Sequence, residues 1–239
     1  KSSKYVDTFI TVIEPIAKKM KQNFKLHKSP IVISNYPKKN IAEISLSDRT
    51  KLNLKNRNNI VIHSGSIYLN NQQLFKALKI FKSHCCSIVF IGNRPRFYEI
   101  QELIESNEDY CSMVHFVDFP NKYNELNSIL KLGDIGWMHV RNKWDSHRLG
   151  SANRFIEYSH AGLAILSTRQ ETALKINQKY NHALFYDEND WEKFDENLSQ
   201  LMSQMEVFKN NARTTWVDLN WENEEKKLVI LYKELMKNA

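Results

Sequence analysis

From residue 59 to about residue 190, the chain alternates short apolar runs with segments that have helical spacing. The apolar runs include NIVIHSG, SIVFIG, SMVHFVDF, DIGWMHV and LAILST, and helical segments such as NQQLFKALKIF lie between them. Apolar strands joined by helices are typical of parallel strands whose sheet is covered on both faces. The pattern therefore predicts an α/β fold with a doubly wound, mostly parallel sheet, whose ligands bind at the carboxyl ends of the strands.

The regions on either side of this alternation have different patterns. Residues 1–37 place VDTFITV and PIVISN around the helical EPIAKKMKQNF, which predicts a βαβ unit. Residues 38–57 are polar and rich in Asn, Lys and Ser, so we expect a linker there. Beyond about residue 190 the pattern is helical throughout, and residues 206–239 are predicted to form closing helices. Four apolar residues of the last helix share one face, which we expect to be packed: Leu228, Leu231, Tyr232 and Leu235.

Composition and charge limit the classes of function. Hydrophobic residues make up 42% of the 239 residues, which is enough for a core, and no apolar run is long enough to cross a bilayer. The first 57 residues hold 13 of the 34 Lys and Arg but only 4 of the 27 Asp and Glu. The basic stretch 18–39 is either a solvated face or a surface for an anionic membrane. It lacks the interleaved aromatic residues of a nucleic-acid module, so we expect no nucleic-acid partner.

The three cysteines, Cys85, Cys86 and Cys111, are an odd number and include an adjacent pair. They lack the spaced pattern of a zinc site, and free thiols are typical of a reducing compartment. We therefore expect no metal site and a cytoplasmic location.

The first strand-to-helix junction with a chemical signal is VIHSGSIYLNN, residues 61–71. Gly65 would let a ligand come close to the backbone, and the following helix would present unpaired N–H groups to a phosphate. A glycine that closes a strand is also common in ordinary turns, and neither established phosphate-loop spacing occurs here.

The second junction is SANRFIEYSHAGLAIL, residues 151–166. Ser151 or Asn153 can cap and support the helix mouth, while Arg154 and Glu157 lie one turn apart on the same face. A cation in the first turn opposes the helix dipole, which makes sense if a diphosphate binds there. The alternative is an ordinary ion pair between these two residues on a solvated helix.

The second junction resembles, position for position, the stretch SPNKLFEYMAAGLPVI of family 4 glycosyltransferases, which are enzymes of the GT-B fold. NIVIHSGSI resembles the first strand and glycine loop of their donor lobe, and VHFVDFPNKYNELNSILKLGDIGWMHV resembles a later segment of that lobe. TTWVDLNWENEEKKLVILYKEL is similar to the closing helices, and FITVIEPIAKKMKQNF with PIVISNYP is similar to the end of the acceptor lobe. The resemblance covers nearly the whole chain in order.

The resemblance implies roles for four residues. Glu157 matches the carboxylate that hydrogen-bonds the ribose hydroxyls of the donor nucleotide. Arg154 stands where the family often has lysine and is expected to neutralise the donor diphosphate. Gly65 fits the loop whose backbone approaches the phosphates, and Ser66 is the next residue of that candidate diphosphate loop. In this family helix ends and basic side chains stabilise the leaving nucleoside diphosphate, so neither a metal nor another cofactor is expected.

The sequence departs from the family where the transferred sugar would bind. Many members carry a glutamate eight residues before the ribose-binding one, and this chain has Leu149 there. The catalytic group is therefore unassigned, and the candidates are the nearby Asp145, His147 and Arg148.

Two further departures concern the diphosphate. The arginine that often follows the first glycine is Ser66 here, and a Lys-Gly pair is replaced by Asn70-Asn71. Diphosphate binding would then depend on Arg154 and on helix dipoles.

In terms of this family, residues 1–37 are predicted to be the end of the acceptor lobe and residues 38–57 the hinge. Residues 58–205 would form the donor-nucleotide lobe, closed by residues 206–239. We expect most of the acceptor lobe to lie outside this chain. The chain by itself would bind nucleotide sugar weakly and without turnover, because the cleft closes only when both lobes are present.

We therefore predict a retaining hexosyltransferase that moves sugar from a nucleotide donor to a glycan or lipid-linked acceptor. Such an enzyme would serve polysaccharide or cell-envelope biosynthesis, in the cytoplasm or at the inner face of the membrane. Two alternatives stay open: a non-catalytic nucleotide-sugar-binding or scaffold lobe of a transferase complex, and a sugar-nucleotide epimerase of GT-B architecture.

Overall fold

The structure is a computed structural model that describes residues 6–39, 59–141, 143–150 and 153–237. The strands are β1 Ile10–Thr11, β2 Ile31–Val32, β3 Asn59–Ser64, β4 Cys86–Gly92, β5 Val114–Asp118, β6 Ile135–Met138, β7 Ala164–Thr168 and β8 Ala183–Tyr186. The helices are α1 Glu14–Asn23, α2 Asn71–Ser83, α3 Pro95–Glu105, α4 Tyr123–Leu130, α5 Asp145–Leu149, α6 Asn153–His160, α7 Glu171–Tyr180, α8 Trp191–Ser203, α9 Met205–Thr214 and α10 Trp221–Lys237, with a 3-10 turn at Thr215–Val217.

Six of the strands form one sheet in the order β5-β4-β3-β6-β7-β8, and every neighbouring pair is parallel. The predicted doubly wound parallel sheet is therefore confirmed. The chain first builds outward from β3 to β5 and then returns to place β6 on the other side of β3. This reversal between β3 and β6 is the point where open parallel sheets bind ligands, beyond the carboxyl ends of the strands.

Apolar side chains cover both faces of the sheet. Successive residues of a strand point to opposite faces, so Val61 belongs to one core and Ile62 to the other. Strands β3, β4, β6 and β7 are buried along almost their whole length, which explains why their sequences are continuous apolar runs. The same packing fixes the carboxyl ends of these strands, where a ligand of such a sheet would bind.

The N-terminal βαβ unit is present, but its strands are short. β1 and β2 pair in parallel through Ile10 with Ile31 and Thr11 with Val32. Of the predicted VDTFITV strand only Ile10 and Thr11 pair, and β2 is the only neighbour of β1 in the described part of the chain. The predicted linker lies almost entirely outside the described residues.

The last helix differs from the prediction in its packing. Leu231 is buried, but Tyr232 is 56% exposed, and Leu228 and Leu235 are half-buried. The described residues provide no cover for the rest of this face. Within the described ranges, no helix has both the length and the apolar character needed to cross a membrane.

Candidate functional site

The glycine loop lies where β3 ends, at the reversal point of the sheet. Gly65 has a φ of 81°, which a residue with a side chain rarely adopts. Its own N–H donates to the Ile91 carbonyl oxygen at 2.8 Å, so that group is occupied by the neighbouring strand. The space that a Cβ atom would fill is open, and Ser66 is exposed. A ligand can therefore approach this backbone from solvent.

Arg154 reaches back from α6 to this loop. Its side chain is nine-tenths buried, and Nη1 donates to the Ser64 carbonyl oxygen at 2.7 Å and lies 3.2 Å from Nε2 of His63. The described residues show no ion pair between Arg154 and Glu157 within 4 Å. The structure thus brings a buried guanidinium to the predicted phosphate loop, and the simple helix-surface ion pair does not form.

His63 is the buried partner of Arg154. Burial lowers the pKa of His63 well below its usual value, and the positive charge of Arg154 lowers it further. A neutral imidazole at this position can accept the hydrogen bond from Arg154 or donate from Nε2 to the Ser66 carbonyl oxygen, 3.3 Å away. Sequence reasoning did not single out His63, although a histidine directly before the glycine loop was a visible signal.

Glu157 lines a cavity of about 300 Å³ between helices α4, α5 and α6 and the N-terminal segment. The lining includes Asn35, Tyr36, Tyr123 and Asn153. Burial raises the pKa of Glu157, and the nearby charge of Arg154 opposes that rise. The described residues supply no hydrogen bond to this carboxylate, so its oxygens can accept hydrogen bonds from hydroxyl groups of a ligand.

Tyr123 is an aromatic residue of this cavity that the sequence analysis missed. It begins α4, at the carboxyl edge of the sheet after β5, and is 39% exposed. Burial and the Glu157 carboxylate both raise its pKa, which places the phenol in the field of that acid. An aromatic ring that lines the same cavity as a carboxylate offers a stacking surface for a planar ring of a ligand.

The helix-mouth residues are only partly described. Ser151 lies outside the described residues. Asn153 is the first residue of α6, and its Oδ1 accepts a hydrogen bond from Nδ2 of Asn35 at 2.9 Å. Asn153 therefore connects the helix mouth to the N-terminal segment.

The catalytic candidates of the short helix α5 are engaged in contacts of their own. Asp145 forms ion pairs with Lys19 of α1 and with Arg148. His147 binds the Arg141 carbonyl oxygen through Nδ1 at 2.9 Å, and its ring packs against Tyr68. None of the three lines the cavity of Glu157, which Ser146 and Gly150 line instead.

Leu149, which replaces the glutamate of the resemblance, is buried beside these residues. Its carbonyl oxygen accepts a hydrogen bond from Thr172 Oγ1 at 2.6 Å. The Leu149 side chain therefore belongs to the apolar packing and provides no polar group for a sugar.

Comparisons with solved structures place this fold among glycosyltransferases. A glycosyltransferase from Rickettsia africae aligns with all of this chain and 68% of its own, with 15% identity and a TM-score of 0.76. HepE from Anabaena, solved in complex with UDP-glucose, aligns over 98% of this chain and 65% of its own, with 11% identity and a TM-score of 0.76. Sucrose-phosphate synthase from Thermosynechococcus elongatus aligns over 98% and 59%, with 13% identity and a TM-score of 0.72.

This chain thus spans roughly three fifths to two thirds of each of these structures. At such low identities the likeness shows the fold, and no curated protein matches the sequence. The family is shown by a family model for glycosyl transferases group 1, which matches residues 45–215 and confirms the resemblance seen in the sequence. The chain is therefore a member of the group 1 family of glycosyl transferases.

Proposed function

We propose that this chain is the donor-binding part of a glycosyltransferase that uses a nucleotide sugar. The observation that carries this proposal is the pairing of two features at the reversal point of the sheet. Arg154 is fixed against the glycine loop by its 2.7 Å bond to Ser64, and Glu157, on the same helix, faces a cavity. In this proposal the diphosphate lies at the loop formed by Gly65 and Ser66, and the ribose hydroxyls donate to Glu157.

The proposed chemistry follows from where charge develops. When the bond from the sugar to the diphosphate breaks, negative charge builds up on the leaving phosphate oxygens. The guanidinium of Arg154 favours that charge because its bond to Ser64 already orients it, and in this proposal the Ser66 N–H of the loop adds to it. We propose that these groups take the place of a divalent metal, that no further cofactor takes part, and that the sugar is transferred with retention of configuration.

The donor and acceptor are proposed by class. The complex of HepE with UDP-glucose supports a uridine diphosphate sugar as the donor. We propose a glycan or lipid-linked acceptor, bound largely by a further N-terminal lobe, because the similar structures are longer than this chain. The basic stretch 18–39 would face an anionic membrane from the cytoplasmic side. Residues 1–37, 38–57, 58–205 and 206–239 keep their proposed roles as acceptor-lobe end, hinge, donor lobe and closing helices.

The donor site is tested by calorimetric titration of the full-length protein with UDP and GDP. We expect one of them to bind and Glu157→Ala to weaken that binding about 10- to 100-fold, because hydrogen bonds to a charged group contribute about 1.5–3 kcal/mol. Glu206→Ala is the control, since Glu206 is an exposed acid of α9. Absence of heat with both nucleotides, or equal affinities for the Glu157 variant and the wild type, would contradict the proposal.

A non-catalytic lobe is the second candidate, favoured by the burial of Leu149 where the family has an acid. The full-length protein is incubated with a labelled donor sugar, with and without glycan acceptors. Transfer of label to an acceptor supports the transferase. Donor binding without any turnover supports the non-catalytic lobe, and isomerisation of the donor without acceptor would indicate an epimerase.

A further inference from the structure

A second cavity, of about 520 Å³, opens at the carboxyl edge of the sheet next to the glycine loop. It is lined by residues 67–71, which follow β3, and by two cations from other strand ends. Arg96 lies just after β4, and Arg141 lies just after β6. Three neighbouring strands of the sheet therefore contribute to one positively charged cavity.

Arg96 is held in place by neutral and charged partners. Nη2 donates to the Leu69 carbonyl oxygen at 3.2 Å and to Oδ1 of Asn71 at 2.6 Å, while Nη1 donates to Oε2 of Glu99 at 3.1 Å. These bonds fix the side chain before any ligand arrives, which lowers the entropy lost on binding. About a third of the side chain remains exposed. The guanidinium is thus oriented and still accessible.

Arg141 is exposed, and among the described residues no carboxylate lies within 4 Å of its guanidinium. Its charge lowers the pKa of His139, and so does the charge of Arg154, with burial as the larger cause. One buried imidazole therefore lies in the fields of both Arg141 and Arg154. Arg141 at the open cavity and Arg154 at the glycine loop are therefore both close enough to this imidazole to act on it.

The asparagines of the cavity already have structural partners. Oδ1 of Asn70 caps α2 by accepting from the Gln73 N–H at 2.9 Å, and Oε1 of Gln73 accepts from the Asn70 N–H at 3.1 Å. Oδ1 of Asn71 orients Arg96. The positions where the family has a Lys-Gly pair are thus used to build the cavity wall, and the positive charges come from two other strand ends.

We propose that Arg96 and Arg141 form an oxyanion subsite for the nucleotide-sugar donor, beside the loop formed by Gly65 and Ser66. This inference rests on the proposed function. The planar, multiply donating guanidinium groups match phosphate and carboxylate oxygens, which have the same recognition chemistry. The oxyanion is either the donor diphosphate itself or a carboxylate on the transferred sugar, as in a uronic acid.

The test uses the full-length protein and the variants Arg96→Gln, Arg141→Gln and the double variant. Each is titrated with UDP, UDP-glucose and UDP-glucuronate, or with the guanosine counterparts if GDP is the nucleotide that binds. We expect about a 10-fold loss of affinity for Arg141→Gln and a larger loss for the double variant. Equal losses for all three ligands would identify the diphosphate, and a loss confined to the glucuronate donor would identify the sugar carboxylate.

Lys79→Gln is the matched control, because it removes one positive charge from an exposed position of α2 away from the cavity. If the wild type binds nucleotide and both arginine variants bind like Lys79→Gln, the subsite is wrong and the proposed function stands. Titration with inorganic pyrophosphate tests the opposite case, in which the arginines bind an anion but the protein binds no nucleotide. A wild type that binds pyrophosphate through these arginines but binds no nucleotide would keep the anion subsite and overturn the proposed donor site.

Discussion

Tyr158 connects a core of the six-stranded sheet to the glycine loop. Its hydroxyl oxygen accepts a hydrogen bond from the Ser64 N–H at 2.8 Å, directly before Gly65. Its ring lies against the backbone of Gly136 in the neighbouring strand β6, where a Cβ atom would come within 2.6 Å of Cγ of the ring. Position 136 therefore excludes a side chain because of the ring and not because of its backbone angles. The position of the loop depends on this close contact.

We predict that Gly136→Ala destabilises the protein. The added methyl group must displace the Tyr158 ring, and overpacking of this kind costs about 1–3 kcal/mol of unfolding free energy. Because the ring also holds Ser64, affinity for the nucleotide of the proposed donor site should fall with it. Urea denaturation and titration with that nucleotide measure the two effects.

The control for this prediction is a double-mutant cycle with Tyr158→Ala. The alanine at position 136 has room once the ring is absent, so its cost should largely disappear in that background. An equal cost with and without the ring would show that the close contact is not the cause.

At the scale of elements, the first turns of α10 bind and fix the N-terminal segment. Oε2 of Glu224 accepts from the Ser34 N–H at 2.9 Å, and both carboxylate oxygens of Glu222 accept from the Lys39 N–H at 3.1 Å. The Trp221 N–H donates to the Pro37 carbonyl oxygen at 2.9 Å. Acids in the first turn of a helix also interact favourably with its dipole. The segment that carries the Asn35 and Tyr36 wall of the Glu157 cavity is thereby fixed.

We predict that Glu224→Ala loosens this segment. Glu224 is buried, and its removal leaves the Ser34 N–H without an acceptor, which costs about 1–3 kcal/mol. Hydrogen exchange at the Ser34 amide should become faster, and the nucleotide of the proposed donor site should bind more weakly because the cavity wall is less fixed. Amide exchange followed by mass spectrometry with residue resolution provides the measurement.

Glu225→Ala is the control for the helix, since Glu225 is the exposed neighbour of Glu224. It removes the same charge without touching Ser34. If the Ser34 amide exchanges at the same rate in the two variants, Glu224 does not hold the N-terminal segment in place.

At the scale of the whole molecule, the sheet could be predicted from the sequence because its strands are buried on both faces. Their continuous apolar runs and the helices between them left few alternatives. The packing of α10 could not be predicted in the same way. Apolar spacing indicates that a face is suited to burial, but only the surrounding elements determine whether anything covers Tyr232.

The candidate site was predictable where its residues are close in sequence and match a family pattern, as Arg154, Glu157 and Gly65 do. Its assembly depends on contacts between distant segments. Arg154 meets Ser64 across 90 positions, and the Asn35 to Asn153 bond spans 118. No local pattern encodes such pairs. The sequence therefore predicted Arg154 at the helix mouth but not its contact with Ser64, and it did not predict Tyr123 in the cavity.

The acid stability of the protein depends on its buried histidines as a set. His63, His139 and His182 are all fully buried, and burial is the main cause that lowers the pKa of each one. The pKa of His139 and that of His182 fall to about 4. In the unfolded chain these side chains take up protons near pH 6.5, whereas the folded protein keeps them neutral. Folded-state stability is therefore present above about pH 6.5 and is lost as the pH falls towards 4.

His182 offers the sharpest test. Its Nε2 lies 2.9 Å from Oγ of Ser159, whose own proton is donated to the Phe155 carbonyl oxygen, so Nε2 is the donor. Its Nδ1 is buried with no hydrogen-bond partner among the described residues, and burial lowers the pKa of the ring to about 4, so the ring is neutral at pH 7. Between pH 7 and pH 5 each such histidine should cost about 2 kcal/mol of unfolding free energy. His182→Gln keeps an N–H for Ser159 and should lose about 2 kcal/mol less than the wild type over this range, measured by urea denaturation. The exposed His27→Gln should lose as much as the wild type, and an identical loss for His182→Gln would mean that its protonation does not drive acid unfolding.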